Sequence, residues 1–139
     1  MKKFINSQET ITDEELVGFG LAYGDIVTVD GHTVISKDLE GADRVTIVTY
    51  GGSGHEPAQK GFVGKGMLDV QAGGDIFAAP NGQLVFDAMK MADKGHGVLL
   101  EAARLLLLRC ADGLHVDAKT VPRRCGAFVV VALSAAALF

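Results

Sequence analysis

The run Gly51-Gly52-Ser53-Gly54-His55-Glu56-Pro57 constrains this chain more than any other seven residues. It follows directly on residues 44–50, which are β-branched and mostly apolar and read as a buried strand. Four residues without bulky side chains at a strand end leave the backbone uncrowded, so main-chain amides can approach a small, oxygen-rich ligand closely. His55 adds a group of the type that exchanges a proton near neutral pH. Such a loop needs a rigid frame, and the surrounding sequence has the parts of one.

Thr12-Asp13-Glu14-Glu15 has the form of a capping box, with Thr12 accepting from an early helix amide and Glu15 reaching back. It predicts a helix with Leu16, Phe19 and Tyr23 along one side. Residues 25–36 read as a hairpin, in which Ile26-Val27-Thr28-Val29 and His32-Thr33-Val34-Ile35 flank a turn at Asp30-Gly31. Asn81 is placed to cap a second helix whose Leu84, Val85, Ala88, Met89 and Ala92 face a core, with Gly95 ending it before a strand at 97–100. Strands alternating with helices predict an α/β fold, a mixed or mostly parallel sheet flanked by helices.

Composition changes near residue 100. Residues 1–100 hold 16 of the 18 glycines and eight basic against 14 acidic side chains, whereas 101–139 hold five basic against three acidic ones, and both cysteines. We therefore read 1–100 as one partial domain and 101–139 as a divergent tail. In the tail, 101–108 has helix propensity without a clean apolar stripe. The apolar run 127–139 is too short for an ordinary transmembrane helix and reads as a buried strand or helix, or as an exposed, aggregation-prone end.

A formal net charge of −4 gives no basic surface for nucleic-acid phosphates. Lys2 and Lys3 lead through Phe4 and Ile5 into a polar run, without the apolar stretch of a signal peptide, so a cytoplasmic location without a membrane partner is expected. Cys110 and Cys125 lack CxxC spacing and read as free thiols, and no His, Cys and carboxylate cluster suggests a metal site. The familiar glycine motifs also fail on spacing. Gly52-x-Gly54-x-x-Pro57 lacks the last glycine of a dinucleotide fingerprint, and Gly64-Lys65-Gly66 lacks the hydroxyl residue of a P-loop. The hydrolase elbow GxSxG needs glycine where His55 stands, which leaves a serine hydrolase as a weak alternative. On spacing alone, a tight structural turn with a solvent-facing histidine stays open beside a ligand site.

The GGSGHEP run, followed by Gly61-Phe62-Val63-Gly64-Lys65-Gly66-Met67-Leu68, Asp75-Ile76-Phe77 and Pro80, resembles the dihydroxyacetone-binding subunit of dihydroxyacetone kinases. The opening Met1-Lys2-Lys3-Phe4-Ile5-Asn6 and the closing Gly97-Val98-Leu99-Leu100 fit the same family in order, so the resemblance covers about residues 1–100. It implies the first part of an α/β subunit, commonly a homodimer when full length, that binds dihydroxyacetone or a similar small ketose. A partner kinase subunit then supplies the phosphoryl group through an ADP-bound relay; in single-chain relatives ATP with magnesium does so. The resemblance places the substrate against Gly52, Ser53, Gly54 and His55, with His55 as the catalytic acid/base group, and assigns no cofactor or metal to this segment.

Departures accompany the match. Where the family carries a Lys-Asn-Tyr-Thr-Gly-Asp type segment after Leu100, this chain reads Glu101-Ala102-Ala103-Arg104-Leu105. The histidine that binds the ketone covalently in the family lies beyond residue 139, and His115 matches no such motif. Ala79 replaces the serine of the family's Thr-Ser-Pro stretch, which leaves room for a different ketose. The chain alone is expected to be inactive; a ketose-sensing regulatory paralogue, or a damaged or artificial product of a frame change or fusion near codon 100, are the alternatives. Elsewhere, His32 reads as exposed beside its turn and His96 as a loop residue. Glu56 reads as a structural acceptor within the loop, and Lys65 as a candidate to face a phosphate.

Overall fold

The computed structural model describes residues 4–57, 59–103 and 128–133. They form α1 (Ile11–Ala22), β1 (Val27–Asp30), β2 (Thr33–Ser36), β3 (Thr46–Ser53), β4 (Val70–Ile76), α2 (Gly82–Ala92), β5 (Val98–Ala103) and β6 (Phe128–Leu133), with 3-10 turns at Lys37–Leu39 and Lys60–Phe62. The strands make one mixed sheet in the order β1-β2-β4-β3-β5-β6. β2 runs antiparallel to β1 and β4, whereas β3, β4, β5 and β6 are parallel to one another. The expected α/β layer fold with a mixed sheet is the fold observed.

Each half of the core follows from strand alternation. Val48 and Tyr50 of β3, Val70 and Ala72 of β4, and Val98 and Leu100 of β5 share one face and pack on Val85, Ala88 and Ala92 of α2, with Leu39. Burying a valine of this kind is worth about 1.5–3 kcal/mol. A second cluster joins Leu16 of α1 to Val27, Val34 and Val63, with Phe19, Val29 and Leu68 packed against it. The α2 face is the one its sequence spacing predicts, and Asn81 caps it, its Oδ1 accepting from the Leu84 amide at 2.8 Å. Asn81→Ala should cost about 1 kcal/mol in urea unfolding. A loss under 0.3 kcal/mol would mean that water replaces the cap without penalty.

Several boundaries differ from expectation. α1 begins at Ile11 with Thr10 as N-cap, and Thr12 is buried within the helix. Its hydroxyl is therefore inside the first turn, and the reaching carboxylate is Glu14, which accepts from the Thr10 hydroxyl and from Asn6 Nδ2, both at 2.8 Å. Of the expected helix face, Leu16 is buried and Phe19 half-buried, but Tyr23 is exposed at the C-cap, its ring 4.8 Å from that of Phe19. The hairpin pairs Asp30 with Thr33, so its turn is Gly31-His32, one residue later than expected, with positive φ at Gly31. β4 is a strand that sequence reasoning misses, and β5 continues past Leu100 through Glu101, which accepts from the Thr49 hydroxyl at 2.5 Å. Despite the helix propensity of 101–108, the chain is a strand as far as Ala103, because parallel pairing of Glu101 with Thr49 and Ala102 with Tyr50 extends the ladder. Residues 104–108, both cysteines and His115 lie outside the described residues. The composition change at residue 100 falls inside β5, and the apolar run 127–139 contributes β6.

Among the described residues no helix is long and apolar enough to cross a membrane. Val17, Leu21, Tyr23 and Ile26 are exposed around α1, and among the described residues β1 and β6 are the edge strands of the sheet. Open edges and grouped apolar side chains favour self-association. Gel filtration should show species larger than a monomer; a sharp monomer peak with a cooperative melt would overturn this expectation.

Candidate functional site

β3, β4 and β5 end together at Ser53, Ile76 and Ala103, and the glycine loop leaves from the middle strand of these three. The carboxyl edge of parallel strands is where α/β sheets hold their ligands. β3 runs further than the sequence suggests, taking in Gly51, Gly52 and Ser53, and its register with β4 shifts between Gly51 and Ser53. The free loop therefore starts at Gly54.

The segment after β4 packs onto this loop. Ser53 is buried, its hydroxyl donates to Gly74 O at 2.9 Å, and its carbonyl accepts from the Phe77 amide at 2.8 Å. A Cβ on Gly52 would stand 2.8 Å from Ala78 O and 2.9 Å from Ala78 N, so glycine here admits neighbouring main chain. Gly54 has φ +102°, and its amide donates to both Glu56 carboxylate oxygens, at 3.1 and 3.0 Å. The small residues thus serve close packing of loop on segment, and the Gly54 amide already has an acceptor.

His55 is exposed and packs edge-on against Phe77, with ring centroids 5.1 Å apart at 72°. Among the described residues its imidazole meets no hydrogen-bond partner. Phe77 has φ +52°, an unusual conformation for a bulky residue that costs on the order of 1–3 kcal/mol and is found preferentially at functional sites. A cavity of about 490 Å³ is lined by Gly73, Gly74, Asp75, Ala79 and Pro80 with His32. Gly52, Ser53, Gly54 and His55 do not line it.

Glu56 is the structural acceptor its position suggests. The Glu56–Pro57 peptide is cis, and Lys60 reaches back to Glu56 at 2.9 Å. Burial pushes the Glu56 carboxyl up, but hydrogen bonds from Lys60 and the Gly54 amide outweigh it and hold the group below the ordinary glutamate value. His32 is half-buried rather than exposed, because Asp13 of α1 meets its Nε2 at 2.9 Å. His96 lies in a loop, 2.8 Å from Asp43, and Lys65 is exposed. Lys60 and Phe77 are the site residues to which sequence reasoning assigns no role. The four-residue spacing of Glu56 and Lys60 is the one signal for Lys60, whereas Phe77 stands in the Asp75-Ile76-Phe77 run that carries the family resemblance. Among the described residues no group of three His, Cys, Asp or Glu side chains is placed to hold a metal.

A match to the Dak1 domain covers residues 17–104, which takes in β1 to β5, the glycine loop and the Phe77 segment. The chain belongs to the Dak1 domain family. The dihydroxyacetone-binding subunit of the PTS-dependent dihydroxyacetone kinase 1 of Listeria innocua is 39% identical to this Dak1 chain over 101 residues, 72% of this chain and 31% of the relative. The dihydroxyacetone kinase from C. freundii, solved with AMP-PNP and Mg2+, matches with a TM-score of 0.65 and 32% identity over 72% of this chain and 20% of its own. The dihydroxyacetone kinase operon co-activator Dha-DhaQ matches with a TM-score of 0.67 and 26% identity over 87% of this chain and 36% of its own. The Dak1 chain therefore spans a third or so, or less, of each of these proteins.

Proposed function

We propose that this Dak1 chain forms the first part of the ketose-binding unit of a dihydroxyacetone kinase. Gly52, Ser53, Gly54 and His55 make the cradle for dihydroxyacetone or a similar short ketose, and His55 takes the proton of the reacting hydroxyl. The carrying observation is the exposed His55 imidazole, set against Phe77 at the carboxyl edge of three parallel strands. Phosphoryl transfer is mostly positioning and charge stabilisation, so a shaped loop and one proton acceptor are sufficient contributions from this segment. The donor belongs elsewhere, on an ADP-bound partner subunit of a phosphotransferase relay or as ATP with magnesium. The proposed setting is glycerol and ketose metabolism in the cytoplasm, with a homodimer as the full-length form and the isolated chain inactive.

The test is a chimera in which residues 1–100 of this chain replace the matching part of the Listeria relative. With its donor subunit it should phosphorylate dihydroxyacetone. A folded chimera that leaves dihydroxyacetone unbound would sink the reading. Binding without turnover would favour a second reading, a ketose-sensing regulatory relative, which the co-activator match and the absence of the Lys-Asn-Tyr-Thr-Gly-Asp segment support.

A further inference from the structure

We propose that Lys60 is a positioning residue for the glycine loop: its buried ammonium ties Glu15 of α1 to Glu56 and so holds the Glu56 carboxylate on the Gly54 amide. Lys60 is 3% exposed, with Nζ 2.5 Å from Glu15 Oε2 and 2.9 Å from Glu56 Oε1. The charged groups that meet there, among the described residues, are these three, from α1, the loop and the 3-10 turn at Lys60–Phe62. An ammonium this buried is tolerated only when paired, so the two carboxylates fix where Lys60 stands. The dependence also runs the other way. Without the cation, Glu15 and Glu56 face each other as like charges, and Glu56, with 37% of its side chain exposed, turns toward water. Gly54 then loses its acceptor and, at φ +102°, is free to rotate the peptide that presents His55. α1, distant in sequence, is in this way part of the loop's support.

The catalytic consequence rests on the reading of the loop as a ketose cradle, but the experiment needs no ketose and can fail independently of that reading. The readout is hydrogen exchange at the Gly54 amide in the full chain, resolved by fragmentation mass spectrometry and normalised to the intrinsic rate at each pH. In the parent, protection should persist below the ordinary glutamate value and vanish as pH falls through the depressed Glu56 value, since a lowered carboxyl holds its contact until it is protonated. Lys60→Met keeps an unbranched side chain up to the ε carbon and removes the charged nitrogen. It should cut protection at neutral pH about 10-fold and move its loss to higher pH, because the Lys60 contact that lowers the Glu56 carboxyl is gone. Adding Glu56→Gln gives Gly54 a neutral acceptor that needs no cation, so the double variant should regain protection and lose its pH dependence. Unchanged Gly54 exchange in folded Lys60→Met, or a loss that Glu56→Gln does not restore, overturns the proposal. Should Lys60→Met not fold, Glu15→Gln decides. It removes a neighbouring negative charge and leaves Lys60 to Glu56, so the midpoint should move down, and a midpoint that stays or rises overturns the proposal.

Discussion

His55→Asn, placed in a full-length kinase carrying this loop, should lower ketose phosphorylation by about 10²–10⁴-fold while weakening ketose binding only modestly. Asparagine keeps a polar side chain and suits the loop, but it exchanges no proton near neutral pH. The rate loss corresponds to roughly 3–5 kcal/mol of barrier, against about 0.5–1.5 kcal/mol for one lost neutral hydrogen bond. The two roles are therefore separable by size. The structure sharpens the expectation, because the Ser53 hydroxyl is committed to Gly74 and the Gly54 amide to Glu56, whereas His55 has only the Phe77 ring beside it among the described residues. Losing the imidazole breaks no hydrogen bond that the fold uses there. The measurement is turnover per folded molecule, with the melting temperature alongside. A sharply lower melting temperature with near-normal turnover would make His55 a structural turn residue and end the catalytic assignment.

What the sequence disclosed, and what it hid, follows the range of the interaction. The Asn81 cap was legible because its acceptor and the Leu84 amide are three residues apart, and the α2 face because helical spacing alone sets it. The glycine loop was legible as a motif, although its working was not: glycine at 52 and 54 makes room for Ala78 and Phe77, residues more than twenty positions away. β4 carries two glycines and no clean alternation, and it is a strand because β2 and β3 flank it on both sides. The helix propensity that begins at residue 101 is overridden for the same reason as far as Ala103, since pairing with β3 outweighs a propensity that spans about 0.7 kcal/mol per residue. Lys60 reads as an ordinary surface lysine until Glu15, 45 residues earlier, comes to meet it.

The largest loss of stability should come from the pair at the start of β3. Arg44 donates through both terminal nitrogens to the two Asp69 oxygens at 2.7 Å, and Asp69 also accepts from the Ile47 amide at 2.8 Å. Asp69 is wholly buried, while the Arg44 side chain is 44% exposed. The Asp69 hydrogen bonds push the Arg44 guanidinium up, so this cation stays charged wherever the protein is folded. Arg44→Leu strands a buried carboxylate with one amide for company. Breaking a buried pair this way costs about 3–5 kcal/mol, and the exposure of Arg44 lets water compensate part of it, giving an expected loss of about 2–3 kcal/mol. That is a large share of the roughly 5–15 kcal/mol that holds a domain together. Asp69→Asn removes the charge but turns an amide group toward the guanidinium, and it should be destabilising alone. In the double variant neither charge remains to be satisfied, so its loss should fall at least about 1 kcal/mol short of the sum of the singles. Pulse proteolysis in urea at low protein concentration measures all three. Additive losses, or an Arg44→Leu cost under about 0.5 kcal/mol, would show that Ile47 and water alone satisfy Asp69 and that Arg44 contributes nothing to the register of β3 against β4.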